Sequence, residues 1–320
     1  MNIKYILIIM GEPYSTFSEI IAKYFANNKK INRYIILFGS NELIQKQFEK
    51  LKYSIPLNKI SNFNSLKKNK LNILNIDFKF SKVFTNITYK SNNYIEECFK
   101  RALIFARENK KKCILINGPI SKESFLKKKY LGITEYLSAK TKSKNEVMLI
   151  YNNKLSVSPL TTHIPLKYVA KKITKTKLLN SILKIDTFYK KTIKKKPKIA
   201  VIGLNPHCES IDKYSEEEKI IKPVVKNLIS KGINIKGPFP TDTFFLDKNL
   251  KKFNVVIGMY HDQVLTPIKT IYKFNAINIT LGLPFIRISP DHGPNTSMLG
   301  KNRSDPSSFK YALKFIEKLK

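Results

Sequence analysis

Short apolar runs alternate with segments of helical periodicity along this chain. Runs of strand type lie at residues 5–10, 34–38, 113–116, 147–151, 199–204 and 255–259. Helical periodicity is clearest at roughly 17–28, 41–51, 94–109, 215–230 and 307–319. In the third of these segments, Ile95, Phe99, Ala102 and Ala106 would share one face. The lysine- and asparagine-rich residues 52–92 show only weak periodicity. The alternation predicts an α/β fold.

The stretch 255–293 concentrates side chains that can bind metals and anions. His261, Asp262 and Gln263 follow directly after an apolar run, where a parallel strand would deliver them to a cleft. Three further candidates come at intervals of nine residues: Lys269, Asn278 and Arg287. A guanidinium at Arg287 could hold a carboxylate or phosphate through two hydrogen bonds. An ordinary buried strand followed by a solvated loop is the alternative interpretation.

The net charge of +36 changes the functional picture less than its size suggests. With 320 residues and 42% hydrophobic composition, the chain can bury one large core or two moderate ones. Its positive charge comes from 54 lysines and only five arginines, spread over the whole length. A specific nucleic-acid surface more often concentrates basic residues on one face and uses arginine for its contacts. We therefore expect weak nonspecific binding of polyanions at low salt, and no specific nucleic-acid binding.

Cysteine usage and hydropathy indicate a compartment. Cys98, Cys113 and Cys208 lie far apart without a Cys-x-x-Cys pair, so neither a disulfide framework nor a cysteine zinc site is indicated. The apolar run at 5–10 is too short for the apolar region of a signal peptide, and no stretch approaches the roughly 18 apolar residues of a membrane span. We expect a cytoplasmic protein without membrane association.

The four histidines are the strongest independent signal of a metal site. His163, His207, His261 and His292 each follow a strand-type run or lie in a turn with proline or glycine, and none is predicted on a helix. A fold that collects strand ends at one cleft could bring three of them onto one ion, since neutral imidazoles suit zinc, cobalt and related metals. Ordinary structural histidines remain the alternative from the residues alone.

Seven motifs occur in order along nearly the whole chain. They are Asn117-Gly-Pro-Ile-Ser-Lys122, Thr161-Thr-His-Ile-Pro-Leu166, Gly203-Leu-Asn-Pro-His207, Gly237-Pro-Phe-Pro-Thr-Asp-Thr243, Tyr260-His-Asp-Gln263, Asn278-Ile-Thr-Leu-Gly-Leu-Pro284 and Asp291-His-Gly293. By these motifs the chain resembles the 4-hydroxythreonine-4-phosphate dehydrogenase family of vitamin B6 biosynthesis. The resemblance implies an isopropylmalate dehydrogenase-like α/β fold with two domains around a central cleft. An outer domain would contain 1–125 and 265–320, and a central domain with the dimer interface would contain 126–264.

The resemblance also implies a role for particular residues. The implied ligands of a divalent metal (zinc, magnesium or cobalt), shared across a homodimer interface, are His163, His207 and His261. The implied substrate contacts are Thr134, Lys269, Asn278 and Arg287, with Lys269 also a catalytic candidate. The implied contacts of NAD are His292, Gly293 and Gly300. NAD binding in this fold needs no Rossmann fingerprint, and no Gly-x-Gly-x-x-Gly follows the first apolar run here. Asp262 is a candidate for orienting His261 or a bound water, and a structural turn carboxylate is the equal alternative.

The implied reaction is the NAD-dependent, metal-assisted oxidation of 4-phosphooxy-L-threonine at its C3 hydroxyl. Decarboxylation would then give 3-amino-2-oxopropyl phosphate for pyridoxal phosphate biosynthesis. Two alternatives stay open. The first is a dehydrogenase of the same family that acts on a related hydroxy acid, such as threonate 4-phosphate or a cyclic diol carboxylate. The second is a non-catalytic homologue.

Three departures from the family pattern give that second alternative its basis. Ile133 replaces a histidine that the family uses for substrate binding, in the segment Gly132-Ile-Thr-Glu135. The loop after Gly11-Glu12-Pro13 lacks the family's glycines, and Cys208-Glu-Ser-Ile211 replaces the family's Ala-Gly-Glu-Gly.

Overall fold

The computed structural model describes residues 3–26, 31–110, 112–126, 129–208, 213–246, 250–273, 275–289 and 293–319. The strands in these residues are β1 (Tyr5–Ile9), β2 (Tyr34–Gly39), β3 (Leu57–Ile60), β4 (Leu71–Asn75), β5 (Cys113–Asn117), β6 (Val147–Tyr151), β7 (Ser156–Thr161), β8 (Ile199–Ile202), β9 (Ile235–Phe239), β10 (Val255–Tyr260), β11 (Ile277–Leu281) and β12 (Ile286–Ser289). The α-helices are α1 (Phe17–Phe25), α2 (Asn41–Lys50), α3 (Asn92–Glu108), α4 (Ile133–Thr141), α5 (Val169–Lys172), α6 (Lys175–Phe188), α7 (Lys222–Ser230), α8 (Thr241–Phe244), α9 (His261–Tyr272) and α10 (Ser307–Lys318). The predicted α/β class is confirmed.

The chain divides into two compact units, which we call unit 1 (residues 1–143 and 283–320) and unit 2 (residues 144–282). The domain boundaries predicted from the sequence were 125/126 and 264/265. The second of these falls inside the continuous helix α9, all of which lies in unit 2. The first falls inside the π-helical turn Lys122–Leu126 of unit 1.

Unit 1 contains six parallel strands in the order β3-β4-β2-β1-β5-β12. Strand β1 lies between β2 and β5, with Ile8 opposite Leu37 and Ile116. Four of its five residues are fully buried, as the unbroken apolar run predicts for a parallel strand covered on both faces. Helix α3 packs the predicted face, Ile95, Phe99, Ala102 and Ala106, into this core.

Unit 2 contains six strands in the order β11-β6-β7-β10-β8-β9. The pairs β7–β10, β10–β8 and β8–β9 are parallel, whereas β11–β6 and β6–β7 are antiparallel. Helix α9 covers this sheet with Val264, Leu265 and Ile268, which pack against Val157, Ala200 and Val256 in one apolar cluster. The parallel strands end at a common edge, where their following loops lie.

The strands and helices predicted from periodicity are confirmed, with ends that differ by a few residues. The helix predicted at 17–28 ends at Phe25, and residues 27–28 lie outside the described part. The helix predicted at 215–230 begins as a π-helical turn, Glu217–Ile221, and continues as α7. Within the described residues, no helix is long and apolar enough to cross a membrane.

Residues 52–92, which the sequence left unplaced, contain strands β3 and β4. In β4, the buried side chain of Asn72 interrupts the apolar pattern of the strand. Its amide donates to the carbonyls of Ile35 and Lys67, and its oxygen accepts from Asn58. A buried amide that satisfies neighbouring backbone groups stabilises the strand while interrupting the apolar periodicity that would reveal it.

Candidate active site

Three of the four histidines follow neighbouring parallel strands of unit 2. His163 follows β7, His261 follows β10 and His207 follows β8, and these strands are adjacent in the order β7-β10-β8. Because the carboxyl ends of parallel strands meet at one edge of a sheet, the loops that carry the three imidazoles lie along the same edge. The sequence analysis identified the apolar runs that became β8 and β10, before His207 and His261, but not β7, which precedes His163.

The rings of His163 and His261 lie next to each other, with centroids 5.6 Å apart. Across the described residues, no three His, Cys, Asp or Glu side chains are grouped closely enough to hold one ion. The predicted set is therefore assembled in this chain only as far as this pair. The prediction that no histidine lies on a helix is wrong for His261, which is the first residue of α9. Its strand ends without a loop, so strand and helix are continuous in sequence.

The backbone at two of the histidines is strained. His163 has φ +37° and His207 has φ +57°, followed by Cys208 at φ +55°. These values lie in the left-handed region, which costs side-chain-bearing residues on the order of 1–3 kcal/mol each in such contexts. Strain of this kind persists where the surrounding structure imposes it, and it concentrates at functional sites.

Carboxylates face the Nδ1 atoms of two histidines. His261 Nδ1 lies 2.7 Å from Asp262 Oδ1, and His207 Nδ1 lies 3.7 Å from Asp242 Oδ2. Since a carboxylate can only accept, the shorter contact places the proton of His261 on Nδ1 and leaves Nε2 with its lone pair. Histidines that bind metals are commonly oriented in this way. The Asp262 side chain is 80% exposed, so it contributes to the site through its contact with His261 and not through packing.

Asp242 is a site residue that the sequence reasoning missed. It lies in the segment Gly237-Pro-Phe-Pro-Thr-Asp-Thr243, one of the seven motifs of the family resemblance. The sequence analysis assigned no role to any residue of this motif. The segment begins within β9, the neighbour of β8, and this topology brings Asp242, which follows the strand, to His207. Only the strand order reveals this pairing, because 34 residues of other structure intervene in the sequence.

Glu217 anchors the turn that carries His207. This fully buried carboxylate accepts hydrogen bonds from the backbone N–H groups of Leu204 and Asn205, at 2.7 and 2.9 Å, and from the Asn205 side chain. Burial opposes the charged form, but these hydrogen bonds prevail and lower the pKa of Glu217. The carboxylate therefore stays ionised inside unit 2 and fixes the turn.

Lys269 and Asn278 also belong to unit 2. Lys269 is an exposed residue of α9, two turns after His261. Asn278 lies in β11, and its Oδ1 is buried without a hydrogen-bond partner among the described residues. A buried acceptor without a partner costs about 1–3 kcal/mol, so Asn278 is suited to receive a donor from a ligand.

Arg287 and Thr134 lie in unit 1, where they contact each other. Arg287 is 1% exposed on β12, and its Nε donates to Asn117 Oδ1 at 2.8 Å while Nη1 donates to Thr134 Oγ1 at 3.0 Å. Burial lowers the pKa of Arg287 to about 10, and the nearby Glu135 partly offsets this effect. The guanidinium is thus held as a cation by two neutral oxygens and one neighbouring carboxylate.

Asn117 is the second residue that the sequence reasoning did not assign. It ends strand β5, the neighbour of β12, and is 3% exposed. Its own Nδ2 donates to the Gly118 carbonyl at 2.9 Å, which fixes the orientation of the amide oxygen toward Arg287. The motif Asn117-Gly-Pro was visible in the sequence, but its partner lies 170 residues away.

The residues assigned to NAD lie near the end of unit 1. His292 is outside the described residues. Gly293 is exposed, and Gly300 has φ +72°, where an added Cβ would lie 3.0 Å from the Phe84 ring. The backbone N–H of Thr16 donates to the Pro294 carbonyl at 3.1 Å, and Lys23 donates to the Ser304 carbonyl at 2.7 Å. The segment is therefore fastened to the loop that precedes α1 and to α1 itself.

The loop that lost the family's glycines is closely packed. Tyr14, Ser15 and Thr16 are at most 6% exposed. Gly11 has φ +69°, and an added Cβ would lie 2.4 Å from the Pro119 carbonyl oxygen. Glu12 is 1% exposed, and burial raises its pKa to about 7 in spite of hydrogen bonds from Tyr14 N–H and Ser91 Oγ. The residues that stand in place of the family's glycines fill this loop, and Glu12 is a buried carboxyl group in it that titrates near neutral pH.

Ile133 is the first residue of α4 and is half-buried. It packs against the apolar cluster that contains Phe99, Tyr136 and Leu137. The isoleucine therefore contributes to the core of unit 1 at the position where the family pattern has a histidine.

A groove of about 790 Å³ lies on unit 1 between α3 and α4, and none of the predicted site residues lines it. Leu103, Ile104, Tyr136 and Phe285 contribute its apolar lining. Its acidic rim residues are engaged in ion pairs, Glu96 with Lys140 and Glu97 with Lys100. None of the chemistry described above lines this groove, so we assign it no catalytic role.

Comparisons with known proteins match this arrangement to one family. The family model described as pyridoxal phosphate biosynthetic protein PdxA matches residues 30–316. A relative named 4-hydroxythreonine-4-phosphate dehydrogenase, from Sulfurihydrogenibium sp., is 37% identical over 308 residues, which cover 94% of each chain. The crystal structure of a protein of the same name from Klebsiella pneumoniae has a TM-score of 0.84 at 27% identity over 98% of each chain.

A more distant structure extends the comparison to the fold. The β-decarboxylating dehydrogenase from Thermococcus kodakarensis has a TM-score of 0.53 at 10% identity, covering 98% of this chain and 84% of that one. This similarity shows the fold alone, and it is the dehydrogenase fold that the resemblance implied. From the family model and the relative's identity over nearly its whole length, this chain belongs to the pyridoxal phosphate biosynthetic protein PdxA family.

Proposed function

We propose that this protein is an NAD-dependent 4-hydroxythreonine-4-phosphate dehydrogenase. It oxidises 4-phosphooxy-L-threonine at the C3 hydroxyl, and the resulting β-keto acid loses its carboxylate to give 3-amino-2-oxopropyl phosphate. The observation that carries this proposal is the placement of His163, His207 and His261 along one edge of unit 2 in a member of this family.

The donor set of that edge fits a divalent metal. Three imidazoles are typical ligands of zinc and cobalt, and the Asp262 contact leaves Nε2 of His261 able to bind an ion. His163, His207 and His261 would hold the metal. When bound, the metal supplies a Lewis acid that lowers the pKa of the substrate hydroxyl and stabilises the enolate formed on decarboxylation, while NAD⁺ accepts the hydride.

The side chains of the protein bind and orient the substrate. Arg287 offers a guanidinium, held in place by Asn117 and Thr134, for a carboxylate or phosphate. Lys269 supplies a second cation as a point charge, and Asn278 Oδ1 accepts a hydrogen bond from a substrate amine or hydroxyl. Asp262 keeps the Nδ1 proton of His261 in place, which preserves one tautomer throughout turnover.

Gly293, Gly300 and His292 contribute to the NAD site in this proposal. The left-handed backbone at Gly300 lets the turn after Met298 approach Phe84 without a side chain between them. Contacts from Thr16 and Lys23 hold the same segment to the loop before α1 and to α1. A fixed backbone segment of this kind can bind a nucleotide without the Rossmann glycine motif.

We also propose that the metal site is shared across a homodimer. The side chain of His207 is 71% exposed, and His163 is exposed as well. Leu166 and Tyr168 follow His163 closely and are 69% and 46% exposed, so they offer apolar surface for a second copy to cover.

Three free cysteines, two of them buried, fit our further proposal of a reducing cytoplasmic compartment.

An assay for NADH formation tests the proposal. The purified protein is given NAD⁺ and 4-phosphooxy-L-threonine, with and without a chelator and with zinc, cobalt or magnesium restored. We expect NADH formation that the chelator abolishes and that an added metal restores. Threonate 4-phosphate serves as the rival substrate, and faster turnover of it would replace the proposed substrate. No turnover of either compound in the presence of all three metals would favour the non-catalytic alternative.

A further inference from the structure

The side-chain amide of Gln263 is buried in unit 2 and makes three hydrogen bonds. It is the third residue of α9 and is 7% exposed. Its Oε1 accepts a hydrogen bond from the backbone N–H of Met259 at 2.6 Å. Its Nε2 donates to the Gly203 carbonyl at 2.7 Å and to Thr241 Oγ1 at 3.0 Å. Both donor hydrogens and the acceptor of this amide are therefore used inside the protein.

The partners of Gln263 are the segments that carry the candidate metal ligands. Met259 lies two residues before His261. Its carbonyl accepts a hydrogen bond at 2.7 Å from the hydroxyl of Thr161, which lies two residues before His163. Gly203 begins the turn that carries His207. One buried side chain thus connects, directly or through Met259, the backbone leading to all three histidines.

Thr241 adds the fourth connection. It immediately precedes Asp242, whose carboxylate faces His207 Nδ1 at 3.7 Å. Thr241 Oγ1 donates in turn to the Gly203 carbonyl, at 3.3 Å. The amide of Gln263 therefore holds the His207 turn and its carboxylate partner in one arrangement.

The space around this amide allows little adjustment. An added Cβ at Gly258 would lie 2.9 Å from Gln263 Oε1, and one at Gly203 would lie 2.9 Å from Glu217 Oε1. Glu217 holds the N–H groups of residues 204 and 205, whereas Gln263 holds the carbonyl of residue 203. The His207 turn is consequently fixed from two sides, and its strained φ of +57° is maintained by these contacts.

We infer that Gln263 is the positioning residue of the metal site: within each subunit its buried amide fixes the loops that carry His163, His207 and His261, and so the ligands that each subunit offers to a shared metal, without itself being a ligand. This inference rests on the proposed function, since it requires those histidines to bind a divalent metal. Residues that orient metal ligands typically contribute tenfold to a hundredfold in metal affinity. Neither the family resemblance nor any comparison assigns this role to Gln263.

The test is the metal affinity of Gln263→Met, measured on the full-length protein by zinc titration in competition with a chromophoric chelator. Gln47→Met is the matched control. Gln47 is a buried amide of unit 1, 1% exposed, that also donates to two oxygens, the carbonyls of Pro13 at 2.9 Å and Val83 at 3.2 Å. Unfolding by urea of the metal-free proteins, recorded alongside, measures the loss of stability in each variant.

We expect both methionine variants to lose stability to a comparable degree, and zinc affinity to fall by roughly tenfold to a hundredfold in Gln263→Met alone. Gln263→Glu is the second variant. It retains the acceptor for Met259 N–H but loses the donors to Gly203 and Thr241, so we expect a similar loss of affinity even if Gln263→Met does not fold. The absorption spectrum of bound cobalt provides an independent readout of ligand geometry in the variants that bind.

The outcomes separate this inference from the proposed function. Parental affinity in both Gln263 variants would overturn the inference while the metal site stands. An equal fall in affinity in Gln47→Met would also overturn it, because general destabilisation would then explain the effect. A parent protein that binds no zinc, cobalt or magnesium would overturn the proposed metal site itself, and the inference with it.

Discussion

Arg287 Nε donates a hydrogen bond to Asn117 Oδ1 at 2.8 Å, and neither side chain is more than 3% exposed. The pair joins the last residue of β5 to the second residue of β12, and these strands are adjacent and parallel in unit 1. A buried guanidinium is costly unless its donors are satisfied, so Asn117 contributes to stability and to the placement of a cation at the same time.

Replacement of Asn117 by alanine should lower the free energy of unfolding by about 1.5–3 kcal/mol, because a buried charged donor would lose its acceptor. Urea denaturation measures this change. Asn109→Ala is the control, since the Asn109 amide is half-buried and donates to a neutral carbonyl, that of Phe105. Equal losses in the two variants would show that the charge of Arg287 adds nothing to the Asn117 contact.

Arg287→Lys should raise KM for the phosphorylated substrate by roughly tenfold or more. An ammonium cannot reproduce the two bonds to Asn117 and Thr134 together with a contact to an anion, and a charge-assisted hydrogen bond contributes about 1.5–3 kcal/mol. Steady-state kinetics give the value. Arg303→Lys, at an exposed position, should leave KM unchanged. A KM for Arg287→Lys that equals the parent's would remove Arg287 from the substrate site.

The buried carboxyl of Glu12 should make stability depend on pH. Its pKa is about 7 in the folded protein and near 4.5 when exposed in the unfolded chain, so the folded state binds more protons between these values. Stability should therefore fall as pH rises from about 4.5 to 7, by on the order of 2–3 kcal/mol, and then level off.

Glu12→Gln should remove most of this decline, so that the variant matches the parent near pH 5 and exceeds it in stability at pH 8. Urea unfolding across this pH range measures both proteins. Glu49→Gln, at an exposed position, should keep the parental pH profile. A parental decline that persists in Glu12→Gln would assign the titration to another group.

Ile133→His should increase kcat/KM for the phosphorylated substrate by roughly tenfold to a hundredfold, with the larger gain at lower pH. A histidine can donate to an anionic substrate, and protonation strengthens the bond. The same change should cost about 1–3 kcal/mol of stability, because Ile133 packs on the core of unit 1. Leu131→His, which is 62% exposed, controls for an added imidazole nearby. No kinetic gain between pH 6 and 8 would favour a natural substrate that presents a different group.

His207→Ala should abolish turnover and leave the fold intact, since the imidazole is 71% exposed and contributes little packing. Metal stoichiometry, circular dichroism and NADH formation check the three parts of this expectation. Cys208→Ala, at the next position, should retain activity. If the metal bridges two subunits, His207→Ala should also weaken the dimer, whereas identical dimer dissociation constants with and without metal would contradict a shared site.

Six of the twelve strands and five of the ten α-helices in the described residues were predicted from the sequence, because each of these rests on a clear local periodicity. The apolar runs that became β1, β2, β5, β8 and β10 are continuous enough to reveal buried parallel strands, and a further run became the antiparallel strand β6. Helix α6, in contrast, was not predicted. In this helix of 14 residues, most of the exposed positions hold lysine or another polar residue. Its buried face could be identified only from the strands that it packs against.

The candidate ligands were also visible in the sequence, as histidines that follow strand-type runs or lie in turns with proline or glycine. Only the tertiary structure decided the contacts between segments. These contacts join Asn117 to Arg287, Asp242 to His207, and Gln263 to Gly203 and Thr241. These partners belong to strands that are neighbours in a sheet but distant in the chain. Local periodicity records which face of a strand is buried, whereas strand order and register decide which polar ends meet, because they are set by the packing of the whole sheet.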